Sequence, residues 1–133
     1  MQASRNLLSQ QSTWVVVADP NRANIYSVRR GMARLHPYGE LRHSPTAMDG
    51  GLEPAVGSGG QARRFAARVA LMLDNGRAEQ HFDELVLVAA PAFLACLREC
   101  LSEAVRAAII AEIAKDLVGV RAESLQEQVL RVL

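Results

Sequence analysis

The chain is short of long hydrophobic runs, of cysteine and, above all, of lysine. No stretch approaches the roughly 18 apolar residues that a membrane-spanning helix needs, so no membrane partner is expected. Met1 to Gln11 is polar and lacks the apolar centre of a secretory signal. Residues 1–12 therefore read as a disordered lead-in, and the cytoplasm is the expected location. Two cysteines, Cys96 and Cys100, leave too few ligands at recognisable spacing for a metal site. No other motif asks for a cofactor. No Ser/His/Asp or Cys/His set has sensible spacing for nucleophilic catalysis. A nucleotide-binding loop is excluded as well, because the glycine-rich stretch lacks a Lys-Ser/Thr ending and does not directly follow a strand.

What is present fits one globular domain: 133 residues, half of them apolar, enough for a real core. Net charge is only +1, yet it is unevenly spread. Residues 1–77 carry ten Arg against five acids, and residues 78–133 carry five Lys or Arg against nine. Fourteen of the fifteen cations are Arg, and Lys115 is the one Lys. A planar guanidinium grips two phosphate oxygens at once, so the basic half suits RNA; simple solvation is the equal alternative.

Thr13 to Ala18 is an apolar, β-branched run closed by Asp19-Pro20-Asn21 and reads as a central strand. Ala23 to Val28 alternates as a second strand, with Arg30-Gly31 as a hairpin turn, and Met32 to Leu41 as a looser third. The connections are too short for crossovers, so these three form an antiparallel meander. Residues 42–60 hold two prolines and five glycines and read as a long flexible loop. A helix is expected over residues 61–75, with Ala62, Phe65, Ala66, Val69, Met72 and Leu73 on its apolar face and Asn75-Gly76 as its stop. Leu85 to Ala90 reads as a strand covered on both faces, and Pro91 opens a helix to about residue 101. Val105 to Ile113 is not settled by periodicity: Ala107-Ala108 favours helix, while Ile109 to Ile113 suits a further strand after a short helical turn. A last helix starts near Glu123, with Leu125, Val129, Val132 and Leu133 on one face. The order β-β-β, loop, α-β-α-β-α predicts an α/β fold. It is a single domain over residues 13–133, with a mixed sheet and helices packed on its faces.

The chemistry concentrates at Gly59-Gly60-Gln61. A glycine-dense backbone runs there into a helix whose start carries Arg63, Arg64 and Arg68. Helix starts offer N–H groups to anions, which makes the three arginines RNA-binding candidates. Two readings of the tripeptide stand side by side. In one, which only the family resemblance set out below implies, Gly59, Gly60 and Gln61 are catalytic, with a Gln61 backbone N–H aimed at developing charge and a water held in place. In the other, Gly59-Gly60 leads flexibly into the helix and Gln61 is an ordinary first-turn residue. Asp19 with Asp83, Glu112 and Asp116 is a weaker two-metal candidate, set against Asp19 as a turn residue. Lys115-Asp116 reads as a local salt bridge or a strand-end turn, ahead of a catalytic pair. His36, His43 and His81 read as solvated.

Several segments taken together resemble a known bacterial family, the proteins required for attachment to host cells. They are Trp14-Val15-Val16-Val17-Ala18-Asp19 with Arg22-Ala23-Asn24-Ile25-Tyr26; Ala47-Met48 with Glu53-Pro54; and Arg64-Phe65-Ala66. Further on come Phe82 to Ala89 with Pro91, Phe93-Leu94 and Leu97-Arg98, and then Glu112 with Lys115-Asp116-Leu117. That family is similar in fold to the middle domain of archaeal and eukaryotic class-one peptide release factors. There a Gly-Gly-Gln loop before a long helix promotes peptidyl-tRNA hydrolysis on the ribosome. The resemblance implies a release-factor-like fold and a translation-associated factor of the rescue, release or hibernation type, with the ribosome or tRNA as partner. It also implies the alternative of a non-catalytic cytoplasmic protein needed for attachment.

Cys96 and Cys100 sit four apart on a predicted helix, where a bridge would close a tiny, strained loop. Thiol titration of freshly purified, denatured protein is expected to find two free groups; finding none would contradict that geometry.

Overall fold

A computed structural model describes residues 12–29, 34–43 and 57–133. Five strands form one mixed sheet: β1 (Ser12–Asp19), β2 (Arg22–Arg29), β3 (His36–Arg42), β4 (Glu84–Val88) and β5 (Ile109–Ile113). They lie in the order β3-β2-β1-β4-β5. β1 pairs antiparallel with β2, and β2 with β3, which is the expected meander. β1 with β4, and β4 with β5, are parallel. Parallel neighbours need crossovers, and helices supply them: α1 (Gly57–Ala78), α2 (Pro91–Cys100) and α3 (Glu103–Ala108). A fourth helix, α4 (Ala122–Leu130), ends the fold.

The alternation of β1 explains the layers. Trp14, Val16 and Ala18 join one core with Phe65, Val69 and Leu73 of α1, Leu94 and Leu97 of α2, and Val105 of α3. Val15 and Val17 point the other way, into a second core with Val86, Val88, Leu117, and Leu125 and Val129 of α4. A strand covered on both faces needs apolar side chains at every position, which is why Thr13 to Ala18 reads as one run. Val16, Leu87 and Val88 are fully buried, as expected.

α1 corrects the expectation most. It begins at Gly57 rather than residue 61 and continues through Asn75-Gly76 to Ala78. Gly76 is not a stop. A Cβ on it would lie 3.0 Å from two ring atoms of Trp14 and 3.3 Å from Phe82, so the glycine lets an indole pack onto the helix. The helix ends two residues later instead, at Ala78. His81 N–H reaches Gly76 O (2.8 Å), Gln80 N–H reaches Arg77 O (3.0 Å), and Gln80 takes φ 60°. That is the paired closure of a helix C-terminus with a left-handed residue after it.

Smaller differences follow from burial. The third strand is His36–Arg42, shorter at its start than Met32 to Leu41. The ambiguous stretch resolves as both: a short helix α3, then β5. Val132 and Leu133 lie beyond α4 and are exposed, while Leu125 and Val129 carry its buried face. Residues 1–11, the Arg30-Gly31 turn and residues 44–56 of the expected long loop lie outside the described residues. Ser12, counted with the lead-in, begins β1, and Gly57–Gly60, counted with the loop, belong to α1.

Gly76→Ala sets a gain of about 1 kcal/mol in helix propensity against about 1–3 kcal/mol of overpacking on a wedged indole. The variant should be less stable by about 1 kcal/mol in denaturant unfolding. Gln80→Gly should be more stable by about 1 kcal/mol, because it relieves the left-handed backbone. A stabilised Gly76→Ala would show that Trp14 moves freely.

Candidate functional site

Gly59-Gly60-Gln61 lies within the first two turns of α1, not in a loop ahead of it. Gln61 is the fifth helical residue, so by helix geometry its N–H falls to the carbonyl of Gly57. Its side chain is also engaged. Nε2 donates to Asn21 Oδ1 (2.8 Å) and to Pro20 O (3.2 Å) in the β1–β2 turn. The turn is itself locked by Asp19, whose Oδ1 accepts from the backbone N–H of Asn21 (2.7 Å) and Arg22 (2.9 Å). One polar clasp therefore fixes the start of α1 over the carboxyl end of β1.

The three arginines do not form one face. Arg63 leans toward α2, where its Nη2 meets Glu99 Oε1 at 3.1 Å. That hydrogen bond, with the Glu99 charge, pushes the Arg63 guanidinium pKa further up. Arg64 and Arg68 stand one turn apart on the opposite flank. With His43, Phe65 and Ala67 they line a shallow depression of about 300 Å³. Arg68 donates from Nη1 to Arg42 O (3.0 Å), and its guanidinium carbon sits 5.7 Å from the Phe65 ring centroid. His43 is placed by its backbone N–H bond to Asn21 O (2.7 Å).

Between the first turns of α1 and α2 lies a larger cleft, about 570 Å³, lined by Pro20, Gly60, Ala62, Arg63, Ala92, Phe93 and Cys96. It sits at the carboxyl end of β1, a usual place for ligands on open α/β sheets. Its described lining holds one charge, Arg63, and no Ser, His or carboxylate beside Cys96. Those residues assemble no nucleophile–base pair. Cys100, one turn on, is half-buried; burial first, then the Cys96 thiol, pushes its pKa up.

The carboxylates do not converge. Asp83 Oδ2 faces the Ser12 N–H (3.4 Å) at the start of β1, while Asp19 ends that strand, roughly 23 Å away at strand rise. Glu112 is held by Arg98 Nε (3.0 Å), and Asp116 Oδ1 takes the Val118 N–H (3.4 Å). Lys115 reaches Gln128 Oε1 of α4 (3.2 Å) instead of its neighbour Asp116. Among the described residues no group of three His, Cys, Asp or Glu is arranged to hold a metal. His81 meets Glu79 (3.4 Å), and His36 is exposed. Sequence patterning missed Asn21 and His43, since neither lies near Gln61 or Arg64 along the chain.

The family model described as "Protein required for attachment to host cells" matches residues 57–129, from the first residue of α1 into α4. The chain belongs to that family. The matched span leaves out Trp14 to Tyr26 and the 47–54 motifs. Solved structures extend the likeness to the meander. One is described only as an archaeal protein (TM-score 0.52, 10% identity, covering 97% of this chain and 42% of that one). The archaeal translation termination factor aRF1 gives 0.53, 10%, 99% and 39%. Pelota from Archaeoglobus fulgidus gives 0.55, 16%, 98% and 36%. At such identities the likeness is one of fold, and this chain spans about two-fifths of their length. Among curated proteins none matches it.

The clasp makes a measurable coupling. Gln61→Ala and Asn21→Ala should each lower unfolding free energy by about 1 kcal/mol, as a lost hydrogen bond does. The double variant should lose little more, because both remove one interaction. Strictly additive losses would show that the two side chains act separately.

Proposed function

We propose that this protein is a translation-associated factor that contacts tRNA or the ribosome and does not itself hydrolyse peptidyl-tRNA. The observation that carries the reading is its fold, shared over 99% of the chain with an archaeal translation termination factor. A second support is the basic flank of α1, where Arg64, Arg68 and His43 line one depression. Phosphate is the natural occupant of such a surface, and two guanidiniums one turn apart can grip successive backbone phosphates. The cytoplasm is the matching location. What supports a non-hydrolytic role is the state of Gln61: a helical position with its amide bonded to Asn21 and Pro20.

The family description favours a second reading. In it the protein is a non-catalytic interaction partner whose loss impairs attachment to host cells indirectly. Both readings dispense with chemistry at Gly59-Gly60-Gln61. They differ in whether RNA is the partner.

Co-sedimentation with ribosomes at low and moderate salt separates them. The wild type should pellet at low salt and be released steeply as salt rises. Arg64→Glu with Arg68→Glu should abolish most binding and reduce the log–log salt slope by about 1.4–1.8, two contacts' worth. Arg63→Glu, on the other flank, should cost less. A wild type that stays in the supernatant at both salts would leave the attachment reading standing. In single-turnover release of labelled peptide from stalled ribosomes, bound wild type should give background rates with or without a stop codon; release lost in Gly60→Ala would restore the catalytic reading.

A further inference from the structure

β3 is an edge strand that hardly packs. Six of its seven residues are exposed, and only Leu41 reaches the core. α1 covers β1 and β2 and meets β3 at one end, where Arg68 bonds Arg42 O. Among the described residues nothing else covers the helix-side surface of β3, and two features make that surface specific. The first is Tyr38, 53% exposed at a register irregularity where the strand passes Ile25 and Tyr26. The bulge turns its ring inward along the sheet, 4.7 Å from the Trp14 ring centroid at 47°. Trp14 is itself 3% exposed, flanked by Phe82 at 4.7 Å and pressed on Gly76. Tyr38 thus rests on a fixed aromatic base and has little rotamer freedom left to lose. The second is Gly39, paired with Ile25, where an added Cβ would meet no heavy atom within 4 Å. An exposed ring stands beside open backbone.

Four residues further on, roughly 13 Å at strand rise, Arg42 leads to the depression of His43, Arg64 and Arg68. Glu40, the one acid between, is occupied by Arg42 Nε at 2.8 Å. Arg68 spends one donor on Arg42 O and keeps others, since a guanidinium has five.

We propose that β3 and the Arg64–Arg68 flank of α1 form a track for single-stranded RNA, with an unpaired base stacked on Tyr38 and phosphates at Arg64 and Arg68. The inference rests on the reading that the protein contacts tRNA or the ribosome, and narrows it to unpaired nucleotides. Stacking on a protein ring requires a base splayed out of its helix. A ring plus a basic stretch a few nucleotides away is how single strands are held without sequence readout. A duplex presents phosphates alone and would gain nothing from Tyr38.

The test uses the full chain and a fluorescently labelled, unstructured oligoribonucleotide, with a duplex of equal length as comparison, read by anisotropy. The wild type should prefer the single strand. Tyr38→Ala should weaken single-strand binding by about 5- to 150-fold, the range for one lost base–ring stack, without changing the salt slope or duplex binding. Tyr38→Phe should bind like wild type. Arg64→Gln with Arg68→Gln should lower the salt slope for both ligands. Gly39→Glu, whose Cβ would meet no heavy atom within 4 Å among the described residues, should repel RNA and guards against a folding defect in Tyr38→Ala. Trp14 is the sole tryptophan, so RNA seated on Tyr38 should also alter its emission. Equal binding of single strand by wild type, Tyr38→Ala and Gly39→Glu would overturn the track. If such protein still pelleted with ribosomes, translation association would survive without it; absence of both bindings would remove the parent reading too.

Discussion

Burial of β1 on both faces is the constraint on which the rest of the molecule depends. Every side chain from Thr13 to Ala18 is buried, and each Val or larger residue so placed contributes about 1.5–3 kcal/mol. Exposed ion pairs such as Arg42–Glu40 contribute about 1 kcal/mol at most. The apolar layers therefore decide which helices lie on which side of the sheet. Polar ties decide something finer: where the ends of those helices stop. Asp19, Asn21 and Gln61 do this at one end of β1. At the other end, beside the indole that packs between α1, Phe82 and Tyr38, the backbone bonds of Gln80 and His81 close the helix.

That division also accounts for what the sequence could and could not show. β1 and β4 were legible because strands covered twice leave unbroken apolar runs. α2 was legible because Pro91 marks its first turn and Phe93, Leu94 and Leu97 its buried face. The start of α1 was not. Gly57, Gly59 and Gly60 each cost a helix about 1 kcal/mol in propensity, so local preference reads as loop where the folded chain is helical. Gly76 misleads for the same reason: its glycine answers to Trp14, some sixty residues earlier in the chain. β3 lacked a clean pattern because neither of its faces is buried, and burial is what writes the pattern. At the site, the residues were visible but their partners were not. Asn21 meets Gln61 across 40 positions, and nothing in either neighbourhood announces it.

Charge shows a similar gap between sequence and surface. The arginines at residues 63, 64 and 68 look like one cluster along the chain. A turn of 100° per residue separates Arg63 from Arg64; Glu99 claims Arg63, Arg68 bonds Arg42 O of β3, and Arg64 shares the His43 depression with Arg68. Part of the basic excess of the first 77 residues lies on the β3 side of α1, at Arg42, Arg64 and Arg68. Tyr38 lies on that side as well, so charge and aromatic exposure fall on one strip of the molecule and not on two.

The same geometry bears on the tripeptide. Gln61 has one side-chain amide and one backbone N–H, and the folded chain gives both an intramolecular place. To serve at a reacting ester, either group would have to leave it, opening the first turns of α1 and parting the helix from the β1–β2 turn. Gly59 and Gly60 lower the cost of that opening, being poor helix formers. The hydrogen bonds to Asn21 and Pro20 raise it again, by about 0.5–1.5 kcal/mol each. Such an opening is small enough for a partner to drive, but only one with greater affinity for the unwound form than for the helix. A surface that binds phosphates along Arg64 and Arg68 contacts the helix as folded, since those two residues share a flank only while it is helical. RNA held there, as proposed, would stabilise the helix between Arg64 and Arg68. In that proposal, binding along this strip would favour the helix from Arg64 onward, whereas catalysis at Gly59-Gly60-Gln61 would need the turns before it open.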